Sequence, residues 1–149
     1  MAEVEENKTL EGLRILVVDD EPDARIFICT IVEDHGGEAL QAQDGYEALE
    51  MVRRENPDLV TLDLGMPGKN GIDVFYEMRE DAKLRNIPIC IVTGRPEMRK
   101  LIYERATAPP PEGYLDKPVK PESLVDDIRR ILELGQRKRT RRADNNASI

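Results

Sequence analysis

Polar side chains with the chemistry of a cation site stand directly after apolar runs of the sequence. Asp19 and Asp20 follow one run and Asp63 follows another, while Thr93 and Lys117 stand at the ends of two more. Carboxylates that share one site repel each other and need a cation to offset their charge. An all-oxygen donor set without histidine or cysteine favours Mg²⁺ or Mn²⁺. One carboxylate could then attack phosphorus, while the lysine and the threonine hold the remaining oxygens.

Short apolar strands and longer helical stretches must position these residues. The apolar runs predict strands over residues 14–18, 38–43, 59–63, 87–93 and 114–116. The intervening stretches predict helices from Pro22 to a Gly36-Gly37 stop and over residues 45–55, 72–81, 96–106 and 121–134. Five strands alternating with five helices predict an α/β fold with a parallel sheet and helices on both faces. In such sheets ligands bind beyond the carboxyl ends of the strands, where the polar residues stand.

The composition suits one folded domain. The 149 residues are 40% hydrophobic, and the predicted domain spans residues 13–134 between flexible tails over 1–12 and 135–149. No apolar run approaches the roughly 18 residues that a membrane span needs. The N-terminus is acidic and carries no secretory signal. Cys29 and Cys90 lie inside apolar runs, which predicts buried thiols. We therefore expect a cytoplasmic protein that does not associate with membranes.

The net charge of −8 is unevenly distributed. Five basic residues between 137 and 142, against one aspartate, give the C-terminal tail a charge of about +4 and leave about −12 for the remainder. An acidic body argues against duplex nucleic acid as the main partner. It is compatible with a site that concentrates carboxylates for a divalent cation.

Four motifs together resemble those of one signalling family. They are VVDDEP at 17–22, LVTLDLGMPGKNG at 59–71, IVTG at 91–94 and GYLDKP at 113–118. In this order and spacing they resemble the receiver domain of two-component response regulators, over about residues 13–134. The resemblance implies a flavodoxin-like, doubly wound sheet of five parallel strands in the order 2-1-3-4-5.

The resemblance also implies roles for individual residues. Asp63 would accept a phosphoryl group from a histidine kinase, a phosphotransfer protein or a small phosphodonor. Asp20 and Asp63 would bind Mg²⁺ directly, Asp19 would act mainly through a bound water, and the backbone carbonyl of Gly65 would complete the metal shell. The protein would catalyse only its own phosphorylation and dephosphorylation.

Other residues would contact the phosphoryl group or respond to it. Thr93 would hydrogen-bond one phosphoryl oxygen and Lys117 would pair with another. Tyr114 matches the aromatic residue that changes rotamer together with the threonine, and Gly94 would leave room for the donor. The chain would then act as a stand-alone receiver without a DNA-binding domain, signalling to a downstream protein through its own surface.

Two features depart from the family pattern. Pro109, Pro110 and Pro111 replace the usual short turn after the fourth helix, which predicts a stiff connection to Tyr114. We expect this connection to impair the usual pairing through that face and to favour a monomer or an atypical dimer. Arg95 occupies a position that in this family influences hydrolysis of the acyl phosphate, so the lifetime of the modified state stays open.

Three alternatives compete with this interpretation. A phosphatase of the haloacid-dehalogenase class needs a carboxylate where this chain has Gly65, an early nucleophile strand and a cap domain. A phosphorylation-independent interaction module on the same fold would usually lack one of the site residues. A receiver fragment of a longer regulator is the third.

His35, beside a glycine pair, is predicted to cap a helix end and not to relay phosphate.

Overall fold

A five-stranded parallel sheet forms the centre of the molecule. The structure, a computed structural model, describes residues 9–104 and 108–147. Within them the strands are β1 (Arg14–Val18), β2 (Glu38–Ala42), β3 (Leu59–Leu62), β4 (Ile89–Thr93) and β5 (Gly113–Asp116). Their order is β2-β1-β3-β4-β5, and every neighbouring pair is parallel. The predicted strand order and fold class are confirmed.

Helices cover both faces of this sheet. They are α1 (Pro22–Asp34), α2 (Gly45–Glu55), α3 (Gly71–Glu80), α4 (Arg99–Ile102) and α5 (Pro121–Ala147), with a 3₁₀ turn at Pro96–Met98 before α4. One buried core includes Phe75 and lies under α2, α3 and α4. The second lies under α1 and α5 and includes both cysteines, as their apolar surroundings predicted.

Local sequence signals set the helix ends near the site. Asp44 caps α2 by accepting a hydrogen bond from the Glu47 amide at 2.8 Å. Asn70 caps α3 by accepting one from the Asp73 amide at 3.0 Å. Both side chains satisfy amides that have no partner inside the first helical turn.

Residues on both sides of the predicted domain 13–134 have regular structure or buried contacts. Leu10 is fully buried in the second core, and its amide donates to the His35 carbonyl at 2.8 Å. Residues 9–12 therefore join the folded part, while residues 1–8 lie outside the described residues. The prediction that the last helix ends at Leu134 was wrong, because α5 continues to Ala147. A single Gly135 costs only about 1 kcal/mol in a helix, and the arginine, lysine and glutamine residues that follow favour helix.

The fourth helix is shorter than predicted. A helix was expected over 96–106, but α4 ends at Ile102, and residues 105–107 lie outside the described residues. The hydroxyl of Tyr76 on α3 donates to the carbonyls of Leu101 and Ile102. The last carbonyls of α4 are thus satisfied by a side chain where the helix stops. None of the described helices combines the length and the apolar character that a membrane span requires.

Candidate functional site

The carboxyl ends of four strands bring the predicted site residues together. Asp19 and Asp20 follow β1, Asp63 follows β3, Thr93 ends β4 and Lys117 follows β5. An open cleft at this edge is lined by Asp20, Glu21, Asp63, Gly65, Thr93, Gly94, Arg95 and Lys117. The topology places this cleft beside the switch in strand order between β1 and β3.

Three carboxylates converge in this cleft. One carboxylate oxygen from each of Asp19, Asp20 and Asp63 lies within 4.8 Å of the other two. Asp19 is 1% exposed and Asp63 is 7% exposed, whereas Asp20 is open to solvent. Backbone amides fix the two buried groups: the Glu21 amide donates to Asp19 Oδ1 at 3.0 Å, and the Gly65 amide donates to Asp63 Oδ1 at 3.3 Å. This set of hard oxygen donors suits a divalent cation such as Mg²⁺.

Lys117 reaches the same carboxylates from the opposite side. Its Nζ donates to Asp19 Oδ2 at 2.7 Å and lies 3.7 Å from Asp63 Oδ2. The Lys117 amide donates to the Thr93 carbonyl at 2.9 Å, which fixes the start of the side chain next to β4. The lysine therefore bridges two aspartates, and its shorter contact is with Asp19.

Burial and charge oppose each other in this cluster. Burial raises the pKa of Asp63, and the charge of Lys117 opposes that rise. Burial lowers the pKa of Lys117, but the hydrogen bond to Asp19 and the charge of Asp63 raise it above its ordinary value overall. Lys117 is thus an ammonium group at neutral pH. One ammonium group among three carboxylates leaves this cluster with an excess of negative charge, which a bound cation would offset.

Close backbone packing fixes the position of Asp63. A Cβ on Gly71 would lie 1.9 Å from the Asp63 carbonyl oxygen, so only glycine allows α3 to begin against this residue. The Gly71 amide donates to the Leu64 carbonyl at 3.2 Å. The start of α3 is therefore tied directly to the loop that carries Asp63.

Arg25 supports the site and was not predicted from the sequence. From α1 its Nη1 donates to the Asp19 carbonyl at 2.9 Å, and its Nε donates to Gln41 Oε1 on β2 at 3.0 Å. Arg25 therefore holds the main chain at the acidic pair against the neighbouring strand. The sequence feature that could have identified Arg25 is its position one turn into the helix that follows Asp19 and Asp20.

Comparison with known proteins agrees with this geometry. The profile of the family described as "Response regulator receiver domain" matches residues 15–129. The chain belongs to this family. Receiver domains accept a phosphoryl group on an aspartate in two-component signalling.

Relatives of this receiver domain differ in length. It is 34% identical over 119 residues to Protein PilH of Pseudomonas aeruginosa, covering 80% of this chain and 97% of PilH. It is 31% identical over 119 residues to the phosphate regulon transcriptional regulatory protein PhoB of Escherichia coli, covering 80% of this chain but 51% of PhoB. A crystal structure of a sensor protein from Polaromonas sp. JS666 matches with a TM-score of 0.76 and 23% identity, covering 83% of this chain and 98% of the other. This last similarity concerns the fold alone.

Thr93 and Arg95 form one wall of the receiver cleft. The Thr93 side chain is buried, and its Oγ1 accepts a hydrogen bond from the Arg95 amide at 3.0 Å. Gly65 faces the Arg95 side chain: a Cβ on Gly65 would lie 3.7 Å from Arg95 Cδ. The Arg95 side chain therefore lies across Gly65, the residue without a side chain.

Tyr114 on β5 is half-buried, packs against the first core and does not line the cleft. Its hydroxyl donates to the Tyr103 hydroxyl at 2.6 Å, and the Arg99 guanidinium lies 4.9 Å from the centre of its ring. Burial and the hydrogen bond to Tyr103 raise the pKa of the Tyr114 hydroxyl, which keeps it protonated as a donor. Tyr114 was predicted from its sequence motif, whereas Tyr103 and Arg99 were not.

The proline connection is anchored by a buried arginine on α3. Arg79 donates to the carbonyls of Pro109 at 3.3 Å and Pro110 at 3.1 Å. Its guanidinium also contacts both carboxylate oxygens of Glu112, at 2.9 and 2.8 Å. The connection before β5 is thus attached to α3, which gives a structural basis for the predicted stiffness.

His35 lies at the end of α1 and takes no part in the cleft. Its Nδ1 lies 2.8 Å from the Ile31 carbonyl, within the last turn of the helix. This contact fits the predicted role of a helix-end residue.

Proposed function

We propose that Asp63 of this receiver domain accepts a phosphoryl group from a histidine kinase, a phosphotransfer protein or a small phosphodonor. The observation that carries the proposal is the position of the Asp63 carboxylate. It lies in an open cleft, within 4.8 Å of two further carboxylates and 3.7 Å from the Lys117 ammonium. A carboxylate oxygen of Asp63 forms the bond to phosphorus. The donor's bond to phosphorus breaks, and the histidine nitrogen or carboxylate oxygen of the donor leaves with the electron pair.

The residues of the cleft fit Mg²⁺. Asp20 and Asp63 would hold the cation directly, Asp19 mainly through water, and the Gly65 carbonyl would complete the shell. The bound cation would offset negative charge on the carboxylates and the phosphoryl oxygens. Without such a cation the excess of carboxylates would repel an incoming anion.

Lys117 and Thr93 would act on the modified state. The Lys117 ammonium, already between two carboxylates, would make a charge-assisted contact with one phosphoryl oxygen. The Thr93 hydroxyl would exchange its contact with the Arg95 backbone for a second phosphoryl oxygen. Movement of Thr93 would open space that Tyr114 fills, and the surface around β5 would then present a different shape to a protein target. The reaction is limited to the protein's own phosphorylation and dephosphorylation, in the cytoplasm.

Phosphorylation by acetyl phosphate tests this proposal. With Mg²⁺, intact mass spectrometry should detect one added phosphoryl group in the wild type and in the control Asp126→Asn, which changes an exposed carboxylate on α5. Asp63→Asn should gain none. A chelator should abolish the modification of the wild type. Modification of Asp63→Asn at the wild-type rate, or unchanged modification without divalent cations, would refute the assignment.

A further inference from the structure

Tyr103 and Arg99 both contact Tyr114, and Arg99 in turn contacts Asp116. The Tyr114 hydroxyl donates to the Tyr103 hydroxyl at 2.6 Å, and their ring centres are 6.4 Å apart. Arg99 lies over the Tyr114 ring at 4.9 Å, and its Nη2 bonds Asp116 Oδ1 at 2.6 Å. Tyr103 is 57% exposed, so this set faces the solvent.

The position of Tyr103 is itself fixed by α3. Tyr103 directly follows α4, whose last two carbonyls, of Leu101 and Ile102, accept hydrogen bonds from the Tyr76 hydroxyl. The hydrogen bonds from α3 therefore fix the main chain from which Tyr103 reaches Tyr114. A partner on an anchored helix end can restrain the Tyr114 ring.

We propose that Tyr103 and Arg99 form a latch that holds Tyr114 in its half-buried position and opposes the switch that follows phosphorylation of Asp63. This inference rests on the proposed function, because the switch is the one described there. The two residues act as positioning residues: Tyr103 accepts the hydrogen bond from the Tyr114 hydroxyl, and Arg99 covers the ring. Inward movement of Tyr114 requires both contacts to break.

The latch should lower the apparent affinity of any ligand that stabilises the switched state. A ligand that stabilises the inward state must supply the free energy that breaks the latch, so its apparent affinity is lowered by the same factor. A hydrogen bond between exposed hydroxyls contributes roughly a 2- to 10-fold preference for the state that makes it. A cation over an aromatic ring at an exposed site contributes about 2- to 5-fold. Loss of either contact should therefore favour the switched state.

Beryllofluoride, a stand-in for the phosphoryl group, provides the test on the full chain with Mg²⁺. Amide NMR titration gives its apparent affinity, and the Tyr114 ring signals report the switch. Tyr103→Phe should bind it about 2- to 10-fold more tightly than the wild type, and Arg99→Met should shift the affinity in the same direction. Tyr46→Phe is the matched control, because it removes an exposed hydroxyl from α2, which packs over β1 and β2 far from β5. This control should bind as the wild type does.

A double-mutant cycle separates a latch from a general structural effect. Tyr114→Phe removes the same hydrogen bond from its donor side, so adding Tyr103→Phe to it should change the affinity no further. Equal or weaker binding by Tyr103→Phe than by the wild type would overturn the latch, as would additive effects in the cycle. Failure of the wild type to bind beryllofluoride would overturn the proposed function as well, which distinguishes the two results.

Discussion

Replacing Arg79 with methionine tests how the proline connection is held. The Arg79 side chain is 1% exposed and bonds the carbonyls of Pro109, Pro110, Arg85 and Ile87 as well as both oxygens of Glu112. Methionine keeps most of the apolar stem but removes every one of these donors. It leaves the Glu112 carboxylate with the Ile89 amide at 2.7 Å as its remaining contact in the described residues.

The expected cost follows from this burial. Removing one partner from a buried ion pair costs about 3–5 kcal/mol, because the other charge is left without compensation. The Glu112 side chain is 36% exposed, so water screens part of that cost. We expect Arg79→Met to lower the free energy of unfolding by about 2–4 kcal/mol.

Urea unfolding followed by circular dichroism measures this change. The control is Arg85→Met, the same substitution on an exposed side chain in the α3–β4 connection, which should stay within about 0.5 kcal/mol of the wild type. The denaturant slope should be unchanged, since the same fold unfolds. A loss below about 1 kcal/mol in Arg79→Met would contradict the anchoring role.

Three further outcomes are expected. In the metal-free fold, burial raises the pKa of Asp63. Protonated Asp63 therefore stabilises the fold at pH values below its unfolded pKa, and this contribution is lost as pH rises through its folded pKa. In a chelator, Asp63→Asn should therefore raise the free energy of unfolding by about 0.5–2 kcal/mol at pH 7, and the gain should disappear near pH 3; an equal gain at both pH values would contradict this sign. Lys117→Ala should keep Mg²⁺ binding but lose the phosphorylation-dependent NMR shifts at Tyr114, and wild-type shifts would refute its role. Light scattering with and without beryllofluoride should detect a monomer or a dimer, and a structure of any dimer should place its interface away from α4, β5 and α5; a phosphorylation-induced dimer through that face would contradict the effect assigned to the proline connection.

Much of the fold could be predicted because the signals are local. Each buried strand is a short apolar run that a polar residue ends, as Asp19 ends RILVV and Asp63 ends LVTL. Parallel strands bring such ends to one edge, so the position of the aspartate cluster followed from the alternation of strands and helices. The caps at Asp44 and Asn70 are equally local, since each side chain bonds an amide three residues ahead.

The remaining features depend on contacts between distant residues. Tyr103 meets Tyr114 across 11 positions, and Arg79 meets Glu112 across 33. No periodicity marks either pair. At the end of α4 the carbonyls of Leu101 and Ile102 bond the Tyr76 hydroxyl of another helix, a contact that the local pattern favouring helix up to residue 106 does not contain. The length of α5 was instead underestimated, because a basic segment after Gly135 is typical of a tail, whereas the helix continues through it.

The residue that carries the phosphoryl group decides whether Asp63 is the acceptor. After incubation with acetyl phosphate and Mg²⁺, fragment-ion mass spectrometry can place the added mass on one residue. It should lie on Asp63, and chelation of the metal should remove it. A phosphoryl group on Asp19, Asp20 or any other residue while Asp63 stays unmodified would contradict the account.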